Sequence, residues 1–348
     1  MAAYVLACHG LKVLLLEAGR HYDPVSETPM FQLPREAPLR AAGTPDKPFG
    51  FYDATVDGGW QVPGEPYSSA DGANFMWWRA RMLGGRTNHW GRISLRMGPY
   101  DFKPNGRDGL GFDWPMSYDD LAPWYDKTEA LVGVYGSNEG LENTPDSSPG
   151  ILQPPPAPRA YELLTKRACD GLGIPVVPAH LAILTEPQDA DRLSRMLWPD
   201  NATARRVTRD SMRSRAACYW ATPCGRGCSI KANFQSTTVC LPPALATGNL
   251  TVVTDAMVRE VTIDRAGRAT GVHFIDKKTR SDRHAAADVV VLAASACESA
   301  RILLNSTSAL FPDGLANGSG VVGKYLMDTV GAGVYGQIPA LENLPRHP

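Results

Sequence analysis

The sequence predicts an α/β fold: a Rossmann-like parallel sheet joined to a β-meander, with a partial substrate-side or cap region. Three observations predict it. Val13-Leu-Leu-Leu-Glu-Ala-Gly19 is a continuous apolar run that ends in an acid, the form of a strand buried on both faces. Met257–Asp264 and Ala269–Asp276 alternate apolar and polar residues, the period of half-buried strands. Ala287–Ala294 is a second continuous apolar run, followed by a small-residue turn at Ser295 and a helix over Glu298–Leu304. Residues 13–17 and 288–293 are expected to lie in one sheet.

Taken in order, Met1–Lys12 reads as a helix that has already begun, with Gly10 as its C′ stop. Helix, strand and then the acid Glu17 form the second half of a βαβ nucleotide unit, in which the acid takes a ribose hydroxyl pair. The strand and Gly-rich turn that open such a unit would precede Met1. The expectation is therefore an N-terminally truncated sequence, with Met1 an internal methionine or a misplaced start. The first residues lack the basic leader and cleavage site of a secretory signal. His21 to Asp71 is polar and Pro-rich and is expected to wrap the nucleotide domain. Phe75–Arg81 then leads into the central stretch. Tyr118–Val132 is an amphipathic helix with Ser117 as N-cap and Asp119 and Asp120 in its first turn. Residues 137–158 read as linker, Arg159–Leu172 as a helix stopped at Gly173. The stretch 180–215 is weakly patterned and yields no element. Leu250–Thr254 is a short strand, and Asp264–Gly267 a turn between the two alternating strands.

The 348 residues suffice for two domains or one large one. A formal net charge of −1 gives nucleic acid no general attraction. No apolar run approaches the ~18 residues of a membrane span. The seven cysteines are odd in number and scattered, which argues against a disulfide framework and makes a reducing compartment the default.

The central stretch is Arg81-Met-Leu-Gly-Gly-Arg-Thr-Asn-His-Trp-Gly-Arg92. Gly84 and Gly85 let backbone approach a large flat ligand closely. Thr87, Asn88 and His89 align a hydroxyl, an amide and an imidazole, and Trp90 adds an aromatic wall. Glu17 reads as a ribose ligand or as a solvated acid at a strand end. Cys218, Cys224 and Cys228 read either as packed thiols in a tight loop or as ligands of a three-iron cluster; a closed zinc site lacks a fourth ligand. Trp77, Trp78, Trp90 and Trp114 read as core packing or as a sugar-stacking wall. The basic run from Arg192 to Arg215, interspersed with aspartates, reads as a solvated face.

Val13–Gly19, Gly84–Trp90, the meander and Val289–Ser306 occur in an order that resembles the glucose–methanol–choline (GMC) family of FAD-dependent oxidoreductases, in the branch of pyranose oxidase and the flavoprotein subunits of sugar and gluconate dehydrogenases. Gly320–Asp328 resembles a later family segment. The resemblance implies that Glu17 binds the adenosine ribose of FAD. It implies that Arg81 takes part in cofactor binding, that Gly84, Gly85, Thr87, Asn88, His89 and Trp90 line the isoalloxazine, and that Val258 holds the adenine edge through its backbone. It places Ala293, Ala294 and Ser295 close to the cofactor. His89 matches a flavin-linked histidine, and three roles stay open for it: a hydrogen-bonding flavin neighbour, a covalent attachment point, or a packed core histidine. The family's catalytic histidine would lie beyond Pro348, and His347 matches no motif.

The resemblance implies a discontinuous FAD-binding domain of residues 1–94 and 216–335, a cap or substrate-side region of 95–215, and the start of a substrate domain at 336–348. It implies oxidation of a CH–OH group of an alcohol or sugar, with hydride passing to flavin N5 and oxygen, a quinone or a cytochrome as electron-acceptor partner. Two other classes remain: an inactive fragment without cofactor, and an NAD(P)-dependent dehydrogenase.

Overall fold

The computed structural model describes residues 1–28, 58–59, 68, 70–72, 79–220, 224–326, 333 and 335–342. Trp77, Trp78 and His347 lie outside them.

Helix α1 (Ala2–Cys8) ends as its sequence requires. Gly10 adopts φ +86°, its N–H reaches the carbonyl of Ala7 at 3.0 Å, and Leu11 N–H reaches Leu6 at 3.1 Å. This doubly bonded stop needs a residue at ease in the left-handed region. The chain turns directly into β1 (Val13–Leu16), followed by the short helix α2 (Pro24–Glu27). Strands β2 (Gly58–Gly59) and β3 (Arg79–Ala80) pair antiparallel. Helix α3 spans Pro104–Asp108. Helix α4 (Tyr118–Val132) begins on the expected cap: Ser117 and Asp120 exchange bonds in a capping box.

Helix α5 (Ala160–Asp170) matches the expected helix, and none of its residues is buried. The stretch without an assigned element contains two helices, α6 (Ala190–Leu197) and α7 (Ala202–Arg213). Their apolar positions, Ala190, Leu193, Ala204, Val207 and Met212, enter the main core together with Tyr4, Ala7, Leu131 and Leu250. The solvated-face expectation holds for Arg192, Arg209 and Arg213, which form exposed pairs with Asp189 and Asp191. It fails at Arg215. That side chain is buried and donates to the carbonyls of Val132 (2.9 Å), Lys231 (3.0 Å) and Ala232 (3.3 Å) and to Gln188 Oε1 (3.1 Å). It thereby closes the C-terminal end of α4.

Short helices α8 (Ser236–Val239) and α9 (Leu241–Ala246) lead to β4 (Leu250–Val253). Strand β4 pairs parallel with β1 in the register Val13↔Leu250 to Leu16↔Val253. The two-stranded parallel sheet is covered by α1 and α9, through Tyr4, Ala7, Cys8, Leu241 and Ala244. Beyond it, β5 (Ala256–Ile263), β6 (Ala269–Asp276) and β7 (Ser281–Ala286) form the antiparallel meander. Strand β7 was not expected, because an edge strand with a polar face carries little apolar signal. Helix α10 (Ser295–Asn305) packs on the meander through Ile302, against Val261 and Val272.

One expectation is corrected. Val289–Ala294 forms no strand and shares no sheet with residues 13–17. Val290 and Leu292 lean on the same cluster as Leu16, whereas Val289 is 75% exposed. A strand exists only through hydrogen bonds to a neighbour, and no strand among the described residues pairs with this run.

Candidate functional site

The end of β1 and the central stretch meet through backbone. Glu17 N–H bonds Val253 O at 2.9 Å, and Asp255 N–H bonds Gly19 O at 2.8 Å, which extends the parallel ladder past the strand. On the opposite side Leu83 N–H bonds Arg20 O at 2.8 Å. Gly19 is pressed so closely onto the Arg81–Met82 peptide that a Cβ would stand 2.1 Å from its atoms. The sequence pieces around Glu17 and Gly84 are thus one joint.

The Gly-Gly turn divides its labour. Gly84 adopts φ +90°, and a Cβ there would lie 2.7 Å from Thr237 Cγ2 and 2.8 Å from the Asn88 amide. Gly85, at φ +52°, has no atom of the described residues within 4 Å of its Cβ position, so no described side chain covers the backbone there. A 3₁₀ turn follows over Gly85–Asn88. Thr87 Oγ1 donates to Gly84 O (2.6 Å) and accepts Ser236 N–H (3.1 Å). Asn88 Nδ2 donates to Leu83 O (2.9 Å), and its Oδ1 accepts the Thr237 hydroxyl (2.9 Å). Both side chains point into the protein and shape the turn. Trp90 donates its indole N–H to Phe234 O at 3.3 Å and meets the Phe234 ring edge-on, while Trp114 is exposed.

His89 is buried, and its imidazole is pushed down to about 4, by burial first and then by the charges of Arg86 and Arg92. It is a neutral ring at neutral pH. Arg92, the last residue of the stretch and without an expected role, proves central. Its guanidinium is fully buried, donates to the carbonyls of Asn88 (3.1 Å) and Trp90, and lies over the Trp90 ring. Nothing in the sequence distinguishes it from a solvated arginine.

A second group of residues lies beside Glu17. One Glu17 oxygen accepts the Gly19 N–H at 2.7 Å. Burial raises this carboxyl above its ordinary value, opposed by that bond and by the charges of Arg81 and Lys277. Arg81 pairs with Glu298 of α10 (3.3 Å); Arg301 bonds the same carboxylate (2.6 Å) and the carbonyl of Val258 (2.8 Å). Glu17, Arg81 and the backbone of Val258 are therefore gathered at one end of the parallel sheet. Glu298 and Arg301, which link them, were read only as parts of a helix. Ala293, Ala294 and Ser295 are exposed, and Ser295 adopts φ +72°, rare for a residue with a side chain.

Burial raises the thiols of Cys218 and Cys224, and Cys228 is buried. Among the described residues no three side chains of His, Cys, Asp and Glu are gathered so as to hold a metal ion, so the three-cysteine cluster finds no support. No helix among them is long and apolar enough to cross a membrane.

A parallel strand ending in an acid, a Gly-Gly turn pressed against it and a meander beside both make up the candidate site. The chain belongs to the GMC oxidoreductase family, whose model matches residues 52–328. It is 30% identical over 247 residues to a 2-methyl-1,2-propanediol dehydrogenase of Mycolicibacterium austroafricanum, covering 70% of this chain and 40% of that protein. It is 29% identical over 344 residues to a paromamine 6'-oxidase of Streptomyces fradiae, covering 98% of this chain and 53% of that one. This chain thus spans about half the length of the curated relatives it matches. Among solved structures, a pyridoxine 4-oxidase from Mesorbium loti is similar at a TM-score of 0.49 and 17% identity, over 88% of this chain and 49% of that one.

Proposed function

We propose that this chain binds FAD and belongs to an enzyme that oxidises the CH–OH group of an alcohol or sugar. The observation that carries the reading is the joint at Gly19, which holds the Glu17 carboxylate and the open backbone of Gly85 on one continuous piece of structure. An adenosine ribose needs an acceptor for its hydroxyl pair. Glu17 offers a carboxylate with one oxygen tied to Gly19 N–H. A flat ring system needs a stretch of backbone without obstructing Cβ atoms, and Gly85 offers it. These residues fit the group. The flavin, when bound, supplies the hydride acceptor. Residues 1–94 and 216–335 form its domain, and 95–215 cover the substrate side.

The chain's own residues bind and orient. Glu17 fixes the ribose, the Arg81–Glu298–Arg301 cluster holds the adenine side in register with Val258, and the Gly84–Trp90 turn forms the ring's floor. His89, neutral and buried, presents one donor and one acceptor nitrogen. The named relatives, a dehydrogenase of a propanediol and a paromamine oxidase, support a hydroxylated small molecule as electron donor.

The test is a titration of the purified chain with FAD, followed by acid precipitation. Binding, seen as perturbed flavin absorption, with the colour released to the supernatant is expected. Colour retained in the pellet would assign a covalent bond, with His89 as its site. A chain that leaves the FAD spectrum unperturbed overturns the reading.

A further inference from the structure

Arg92 has the largest fully buried side chain among the described residues. Its guanidinium spans His89: Nη2 donates to the carbonyl of Asn88 at 3.1 Å, and Nη1 donates to the carbonyl of Trp90. These are the carbonyls of the two residues on either side of His89. The rigid fork of an arginine suits two acceptors held at a fixed spacing, whereas a lysine offers only a point charge. Arg92 is itself fixed from behind, since its carbonyl accepts Ala182 N–H (2.9 Å) and the Ser94 hydroxyl (2.9 Å). It adopts φ +65°, a conformation costly for a residue with a side chain, and such strain gathers at functional sites.

We propose that Arg92 is a positioning residue that grips the carbonyls of Asn88 and Trp90 and so fixes His89 at the flavin face. The proposal rests on the flavin reading above. Burial is the first influence on His89, followed by the charge of Arg86, on the same turn, and then that of Arg92. Tyr22 and Cys224 share the field of Arg92, and burial holds both protonated. A second positive charge on the imidazole would sit in a poorly solvated pocket beside a guanidinium that cannot lose its own proton. A neutral ring can accept a hydrogen bond at one nitrogen while donating from the other.

The experiment is NMR of the full chain with labelled histidine rings, His89 being assigned from the signal lost in His89→Gln. In the unaltered chain His89 is expected to stay neutral down to about pH 5, well below the ordinary ~6.5 of histidine. Arg92→Gln, checked for folding by circular dichroism, is expected to move that titration upward. Arg92→Lys keeps a charge but loses the fork, and is expected to leave the titration low while loosening the turn. Both variants are expected to weaken FAD about tenfold, the loss of one or two hydrogen bonds from a charged donor. Titration of His89 near 6.5 in the unaltered chain overturns the proposal. So does a folded Arg92→Gln with an unchanged titration; if that variant does not fold, the unaltered chain and Arg92→Lys decide. Failure of the unaltered chain to bind FAD overturns the flavin reading, and the proposed place of His89 at a flavin face falls with it, while the His89 titration still separately decides whether Arg92 positions the ring.

Discussion

The Cβ position of Gly19 lies 2.1 Å from both the carbonyl carbon of Arg81 and the amide nitrogen of Met82. The turn after β1 and the approach to the Gly-Gly turn are therefore in direct backbone contact, with no room for a side chain. Gly19→Ala must force the two apart, since neither neighbour is a flexible side-chain end. The expected loss is about 3 kcal/mol or more in denaturant unfolding, at the upper end of overpacking costs, together with FAD binding. Gly85→Ala meets no neighbour among the described residues and costs only its left-handed backbone, about 1 kcal/mol. Equal losses in the two variants would show that the joint is not tight.

Such a joint was only half legible in the sequence. Helix α4 and its Ser117 cap, the first two meander strands and the parallel strand at Val13 could be read because each carries a local signal: a period, a cap or an apolar run. The contact of Gly19 with Arg81 spans a long stretch of chain and leaves no trace in either segment. Helices α6 and α7 escaped because arginines separate their buried positions, Leu193, Ala204, Val207 and Met212. The Val289–Ala294 run failed for the opposite reason. Its local signal is strong, but a strand is a property of two segments, and the described residues supply no second one.

Glu17 carries opposed consequences for stability and binding. Burial raises its carboxyl above the ordinary 4.5, so the folded chain binds a proton more readily than the unfolded one. The Glu17 contribution to stability is then greatest below pH 4.5 and is lost as pH rises through the raised value. Glu17→Gln removes that dependence. The variant is expected to melt higher than the parent near neutral pH when no ligand is present, and to bind FAD more weakly. Parallel melting curves against pH for the two chains would remove burial of Glu17 as the cause.

His89 acts in the other direction. Its imidazole is held at about 4 in the folded chain against ~6.5 in an unfolded one, so the unfolded state takes up the proton first on acidification. Its contribution is intact above about pH 6.5 and is lost progressively as pH falls toward 4, to a total of about 3 kcal/mol. His89→Gln is expected to flatten the unfolding free energy over that interval. An unaltered slope in the variant would mean that the acid sensitivity belongs to other groups.

Arg215 tests whether the 95–215 region is fastened to the Gly84–Trp90 turn or merely beside it. One guanidinium bonds Val132 O at the end of α4, Gln188, and the carbonyls of Lys231 and Ala232. Two residues beyond Ala232, Phe234 holds the indole of Trp90. Burial lowers the pKa of Arg215 to about 10, which still leaves it charged at neutral pH. Arg215→Met fills much of the volume but leaves several buried carbonyls without a donor, each costing about 1–3 kcal/mol. The expected destabilisation is therefore about 3 kcal/mol or more, seen as a lower denaturant midpoint, with Arg215→Lys recovering part of it. Because the Ala232–Phe234 segment is anchored through the same guanidinium, Trp90 fluorescence should shift in Arg215→Met at denaturant concentrations too low to unfold the chain. A loss of stability without that shift would place Arg215 in the packing of α4 alone, and the Gly84–Trp90 turn would then owe its position to Arg92 and Asn88.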